Sequence, residues 1–178
     1  MILKGQKVIL RTVRLEDAPR FVRWFNDPTV TKFLLMRCMK LNEEVKWIKD
    51  RLKNPPANKL HFCIDTIDGE HIGACGLDDI HERNSRAEIG IMIGNKKFWN
   101  KGYGTDAMKV LIDYTFKKLK LHRLGLNVYD YNDRAIRVYE NLGFKLEGKV
   151  REANFYNKKF RDFYYMGLLD REWKKRSK

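Results

Sequence analysis

The six residues Asn100-Lys101-Gly102-Tyr103-Gly104-Thr105 decide how the rest of the chain is read. Directly after them Met108, Leu111, Ile112, Thr115, Phe116 and Leu119 recur at helical spacing, while Asp106, Lys109, Asp113, Lys117 and Lys120 mark the opposite face. A glycine turn therefore feeds an amphipathic helix. The first amide N–H groups of such a helix lack intrahelical acceptors, and its dipole is positive at that end. Glycines at 102 and 104 would let an anionic oxygen approach the backbone without a Cβ in its way. The junction suits a phosphate, although a plain turn before a surface helix has the same pattern.

Outward from this junction the pattern alternates between periods of two and of 3.6. Strands are expected at 7–12, 60–66, 71–77, 86–93, 122–129, 145–155 and 160–169. Asp68-Gly69 joins the second to the third as a hairpin, and Asn157-Lys158 turns between the last two. The strand at 86–93 puts Ile89, Ile91 and Ile93 on one side and Glu88, Gly90 and Met92 on the other.

A helix is expected from about residue 14, with Ala18, Phe21, Val22 and Phe25 on its apolar side and Asp27-Pro28 ending it. Asn42 is expected to cap another, in which Val45, Ile48 and Leu52 return at helical spacing before Asn54-Pro55-Pro56. The stretch 29–41 has no clear period and reads as a short helix or a mobile lip. A last helix spans 132–142 and ends at Gly143. The sum is a mixed α/β fold without the early glycine fingerprint and regular βαβ repeat of a parallel dinucleotide-binding sheet.

At 178 residues and 43% hydrophobic, the chain reads as a single domain over 1–178 with a solvated basic tail at about 171–178. It has no 18-residue apolar run, and Lys4, Lys7 and Arg11 break up the start, so no membrane span and a cytoplasmic location are expected. Cys38, Cys63 and Cys75 are odd in number and lack CxxC spacing. His61 with Cys63, and His71 with Cys75, imitate a ligand set along two strands, but no metal is expected because zinc sites pair more tightly. The formal charge of +14 favours polyanions, anionic cofactors or an RNA-rich environment without choosing among them.

Asn132, Ala135 and Tyr139 share one stripe of the last helix, with Asn132 placed to cap it. The run from Phe98-Trp99-Asn100 to Asp106-Ala107, followed by Asn127-Val128-Tyr129-Asp130-Tyr131-Asn132-Asp133-Arg134-Ala135-Ile136-Arg137-Val138-Tyr139 and Glu140-Asn141-Leu142-Gly143-Phe144, resembles the GCN5-related N-acetyltransferase (GNAT) family. Within the family it looks like the branch that acetylates ribosomal proteins and polyamines. The resemblance extends from Val8-Ile9-Leu10-Arg11 to Met166-Gly167-Leu168-Leu169. One departure stands at Trp99, where many members carry Gln or Arg.

The resemblance implies a three-layer fold around a central, mostly antiparallel, splayed sheet, with acetyl-CoA as donor. Asn100, Lys101, Gly102, Tyr103, Gly104 and Thr105 would hold its pyrophosphate, and its pantetheine would lie beside Ile91, Met92 and Ile93. Asn132 would touch the cofactor arm and Tyr139 would stand near the sulfur, able to donate to it as charge develops. Arg134, Arg137 and Lys101 would meet phosphates if their stems point outward. Glu88 is the candidate for accepting the amine proton or orienting the ammonium, directly or through water; the alternative pairs it with Arg86 or another surface cation. Trp24, Phe33 and Trp47 are candidate walls of an acceptor pocket.

An α-amine near pKa 7.7–8 is roughly a third neutral at pH 7.5, against about 0.1% for a lysine-like amine. The first functional reading is therefore an N-acetyltransferase acting on the N-terminal amine of a protein or peptide, a ribosomal protein or acidic peptide included. The second is a small-amine acetyltransferase for a polyamine, amino sugar or amino acid. The third is a nonenzymatic RNA-binding or regulatory module. A homodimer is compatible with all three.

Overall fold

The computed structural model describes residues 1–34 and 38–176. Leu35, Met36 and Arg37 of the stretch read as a lip, and Ser177 and Lys178 of the basic end, lie outside the described residues. Among the described residues eight strands follow in chain order: β1 (Ile2–Lys4), β2 (Val8–Thr12), β3 (Leu60–Thr66), β4 (His71–His81), β5 (Arg86–Ile93), β6 (Arg123–Tyr129), β7 (Lys145–Tyr156) and β8 (Lys159–Leu169). They hydrogen-bond in the order β1-β2-β3-β4-β5-β6-β8-β7. The β5–β6 ladder is parallel, whereas β1–β2, β2–β3, β3–β4, β6–β8 and β7–β8 are antiparallel.

The helices among the described residues are α1 (Ala18–Phe25), α2 (Pro28–Thr31), α3 (Leu41–Lys53), α4 (Tyr103–Lys117), α5 (Asp133–Leu142) and α6 (Asp170–Arg176). Contacts group the chain into two compact units, 1–78 with 90–111 and 79–89 with 112–178, where length alone suggests one domain. In the first unit the apolar core joins Ala18, Phe21 and Trp24 of α1 to Val30, Ile48 and Cys63. In the second, Leu124, Leu126, Leu142, Met166 and Leu168 are buried.

Several local expectations need correction. A 3-10 turn at Leu15–Asp17 precedes α1, in which Trp24 at 3% exposure joins Ala18 and Phe21 in the core, with Phe25 packed half-buried against them and Val22 half-buried. Trp24 is thereby a core residue, edge-on to Phe21 and His71, and not a pocket wall. Pro28 opens α2, its fixed φ suiting the first helical turn.

Asn42 lies inside α3: the cap stands two residues earlier at Lys40, whose amide N–H donates to the Glu43 carboxylate at 3.0 Å. The face of α3 that goes inward is Glu44 and Ile48, leaving Leu52 half exposed at 50%. The expected basic tail is instead helix α6 as far as Arg176. Trp173 anchors it, buried with its indole N–H donating to Asp113 at 2.7 Å.

Candidate active site

In the first unit, β5 runs into the glycine loop through a 3-10 turn at Lys96–Phe98. Trp99, the departure from the family pattern, is structural: its indole N–H donates to the Ile93 carbonyl at 2.7 Å and ties the loop to the end of β5. Asn100 and Gly102 have φ of 58° and 83°, so the chain passes twice through the left-handed region before α4 starts. The Asp106 amide donates to the Gly102 carbonyl at 3.0 Å. The amides of Tyr103, Gly104 and Thr105, one turn earlier, have no intrahelical acceptor by helix geometry.

A Cβ at Gly104 would lie 3.5 Å from Ile93 Cγ1 and 3.8 Å from Ile91 Cδ1, so both isoleucine side chains flank the start of α4. Met92 faces the other way and packs on the α1 core cluster. These features make a cradle of backbone donors beside apolar side chains, which fits a pyrophosphate followed by an apolar arm. Lys101 is exposed and contributes its carbonyl, which accepts from Lys7 Nζ at 3.0 Å. Asp106 does not belong to the solvated face of α4. Its carboxylate accepts the amides of Lys7 at 2.7 Å and Val8 at 3.2 Å, pinning the first turn to the start of β2. An acid in the first helical turn is a readable stabilising feature, but its partners about a hundred residues away are not.

In the second unit, Asn132 caps α5 as expected, its side-chain oxygen accepting the Ala135 amide at 3.3 Å. Gly143 closes the helix in the left-handed conformation with φ 98°. Tyr139 is buried beside Phe144, and burial pushes its phenol up to about 12. Its hydroxyl has no hydrogen-bond partner among the described residues. Arg134 is half-buried, and burial lowers its guanidinium from the ordinary arginine value, whereas Arg137 is exposed. Only Arg137 of the pair is a plain surface cation.

Glu88 sits on β5 in register with Gly125 of β6. It does not pair with Arg86, which binds Asp79 at 2.8 Å. Instead it accepts a hydrogen bond from the Tyr165 hydroxyl at 2.6 Å. Arg123, in the same region of the sheet, is forked onto Glu147. Glu88 thus has a neutral donor and no ion pair among the described residues.

A second polar cluster lies within the first unit. A carboxylate oxygen of Asp17, Cys63 Sγ and a ring nitrogen of His71 come within 4.8 Å of one another, all three residues buried, at a spacing that a cation would use. The Asp17 oxygens, however, are filled by both Arg11 terminal nitrogens at 2.8 Å and by the Arg14 amide at 2.8 Å, with the Cys63 thiol at 3.2 Å. His71 donates its Nε2–H to the Gly73 carbonyl at 2.9 Å, and its Nδ1 stands 3.1 Å from Asp17 Oδ1. Burial alone would raise the Asp17 carboxyl, but Arg11 and His71 hold it far below the usual carboxylate range. The donor set suits a saturated carboxylate hub more than a metal ion. Sequence spacing grouped His71 with Cys75 and did not find Asp17.

Trp47 is 40% exposed, stacked on His61 and covered by the Arg51 guanidinium 4.5 Å from its ring centre. Phe33 is half-buried beside Lys32.

The acetyltransferase (GNAT) domain model matches residues 7–145. The chain is 32% identical over 175 residues to the uncharacterized N-acetyltransferase p20 of Bacillus licheniformis, covering 96% of this chain and 97% of that protein. It is 34% identical over 169 residues to the spermidine N(1)-acetyltransferase of Escherichia coli, covering 95% and 89%. The spermidine N-acetyltransferase of Vibrio cholerae, solved with CoA and spermine, shares the fold with a TM-score of 0.86 at 23% identity, covering 93% and 97%. With a backbone cradle at the start of α4, a capped α5 carrying a buried tyrosine, and a family model spanning most of its length, the chain belongs to the GNAT family of acetyl-CoA-dependent N-acetyltransferases.

Proposed function

We propose that the acceptor of this acetyl transfer is the α-amine at the N-terminus of a protein or peptide. The observation that carries the reading is the isolation of Glu88. Its only hydrogen-bond partner among the described residues is a neutral phenol. The two acids near it in the sheet, Asp79 and Glu147, are already paired with Arg86 and Arg123. This face offers one carboxylate that has no ion pair of its own and feels the nearby Arg123 charge, which suits one ammonium and disfavours a chain of them.

Acetyl-CoA supplies a thioester whose acyl group passes to the amine. In this reading the amides of Tyr103, Gly104 and Thr105 bind its pyrophosphate, with Asn100 and Gly102 shaping the turn. Lys101 and Arg137 add long-range attraction for its phosphates, while Arg134 contributes a half-buried cation. Ile91 and Ile93 flank the apolar arm, Met92 supports them from the core side, and Asn132 holds the start of α5. Tyr139 donates a hydrogen bond to the leaving sulfur, and Glu88 receives or orients the amine proton. An α-amine, already roughly a third neutral at pH 7.5, asks little of that carboxylate.

Spermidine is the second reading, favoured by the 34% identity to a spermidine N(1)-acetyltransferase. Against it stands the net +14, which repels a polycation at long range. The test compares N-terminal peptides, spermidine, amino sugars and amino acids for CoA release, with each product verified by mass. Run at ionic strengths of about 0.02 and 0.3 M, the peptide should be preferred at both, with its advantage shrinking at high salt as repulsion is screened. Higher catalytic efficiency on spermidine at both salts would replace the peptide reading with the polyamine one.

A further inference from the structure

The Tyr165–Glu88 hydrogen bond spans a whole strand. Glu88 faces Gly125 across the parallel ladder, and Gly125 faces Gly167 across the antiparallel one. Tyr165 is two residues from Gly167 along β8 and therefore on the same side of the sheet. Two strand spacings separate β5 from β8, about 10 Å in all. Ordinary side chains on those strands do not meet when a third side chain stands between them.

Here none does, because the intervening residue is glycine. A Cβ at Gly125 would lie 4.0 Å from Tyr165 Cε1, so the tyrosine ring lies over the bare backbone of β6 and its hydroxyl arrives at Glu88 Oε1. Gly167 does the same for the neighbouring pair, since a Cβ there would run into Arg123 and Glu147. The two glycines thus let Arg123 stay with Glu147, leaving Glu88 to Tyr165.

From this geometry we infer that Tyr165 is a positioning residue for the acceptor amine: its hydroxyl fixes one oxygen of Glu88 and leaves the other turned to the ammonium. The inference rests on the reading of Glu88 as the acceptor-side carboxylate. A phenol is suited to the task because it orients a carboxylate without neutralising it, as an arginine would. The hydrogen bond to Glu88, and after it burial, raise the Tyr165 phenol above the ordinary tyrosine value, so the hydroxyl keeps its proton and remains the donor.

The test is a double-mutant cycle of Tyr165→Phe and Glu88→Gln on the full chain, with a peptide acceptor. Tyr165→Phe should lower kcat/KM for the acceptor about tenfold, with the acetyl-CoA dissociation constant and the melting temperature unchanged. In the Glu88→Gln background the same substitution should change the rate by no more than about twofold, because the group it positions is gone. Gly125→Val, which parts the pair without altering either member, should reproduce the loss, while Gly125→Ala should not. Equal losses from Tyr165→Phe in both backgrounds would make the tyrosine merely structural and overturn the inference. A slow Glu88→Gln enzyme with a wild-type Tyr165→Phe enzyme overturns the inference alone. A fully active Glu88→Gln enzyme removes the acceptor-side reading of Glu88, and the inference with it.

Discussion

Replacing Gly104 with valine should weaken acetyl-CoA binding far more than replacing Lys101 with alanine. Gly104 is the second residue of α4, in the turn whose first three amides have no intrahelical acceptor. Its Cβ position already stands 3.5 and 3.8 Å from Ile93 and Ile91, ordinary contact distances. Alanine fits there. The two extra methyl groups of valine must project either into those isoleucines or over the amides, and in both cases the pyrophosphate oxygens are pushed off their donors. Each hydrogen bond to a charged group contributes about 1.5–3 kcal/mol. Weakening one or two of them costs about 2–4 kcal/mol, or roughly 30- to 1000-fold in Kd.

Lys101 by contrast is exposed, and its backbone carbonyl already serves Lys7. Removing one mobile surface charge should cost no more than about 1 kcal/mol, or about fivefold, and less at high salt. Titration calorimetry on Gly104→Ala, Gly104→Val and Lys101→Ala, each first shown to melt like the wild type, separates the two effects. Wild-type affinity in the valine variant, or a larger loss in Lys101→Ala, would refute a main-chain phosphate site.

Tyr139→Phe should lower kcat by about ten- to hundredfold without abolishing transfer, and should leave the acetyl-CoA dissociation constant unchanged in calorimetry. Arg11→Met strands the Asp17 carboxylate in the core and should cost about 3–5 kcal/mol at pH 7, read as a lower denaturant midpoint. Because the folded-state pKa of Asp17 is depressed, the stability it contributes is present above the ordinary Asp range near 3.8 and is lost as pH falls below it. The gap between wild type and Arg11→Met should therefore narrow in acid, and a gap that widened would contradict the hub.

What was legible in the sequence was whatever a local pattern determines. The isoleucine alternation places β5 at Arg86–Ile93 with both ends correct. The turns at Gly69 and at Asn157-Lys158 have the positive φ that their residue types tolerate. Asn132 caps and Gly143 terminates α5 because both act within one turn of their own position. Helix phase was less legible. In α1 Trp24 joins the core and Phe25 packs against it as expected, while Val22 stays half-buried, and hydrophobicity alone does not separate Trp24 from Val22.

Helix α6 was hidden for another reason. Its seven residues carry a single buried apolar anchor, Trp173, too few for a period, and the surrounding lysines and arginines read as a tail. The turn and helix start at residues 100–105 were readable because glycines and helical periodicity suffice to describe them. The setting of Glu88 was not, since it depends on Tyr165, seventy-seven positions away, and on two glycines whose purpose is to be absent as side chains.

These two halves of the chemistry differ in where the proton matters. The Tyr139 phenol stands at about 12, whereas an ordinary thiol lies near 8.5. Giving that proton up fully to a departing thiolate would be uphill, so in the proposed reading the phenol shares its hydrogen and does not give it up. Its deletion should then scale the rate by one factor at every pH between about 6 and 9. The proton that must leave belongs to the amine, and the pH dependence of kcat/KM should move with the pKa of the acceptor when peptides of different N-terminal basicity are compared. A profile that ignored the acceptor and changed shape in Tyr139→Phe would reverse this assignment, making the tyrosine the true acid and leaving Glu88 a binding group.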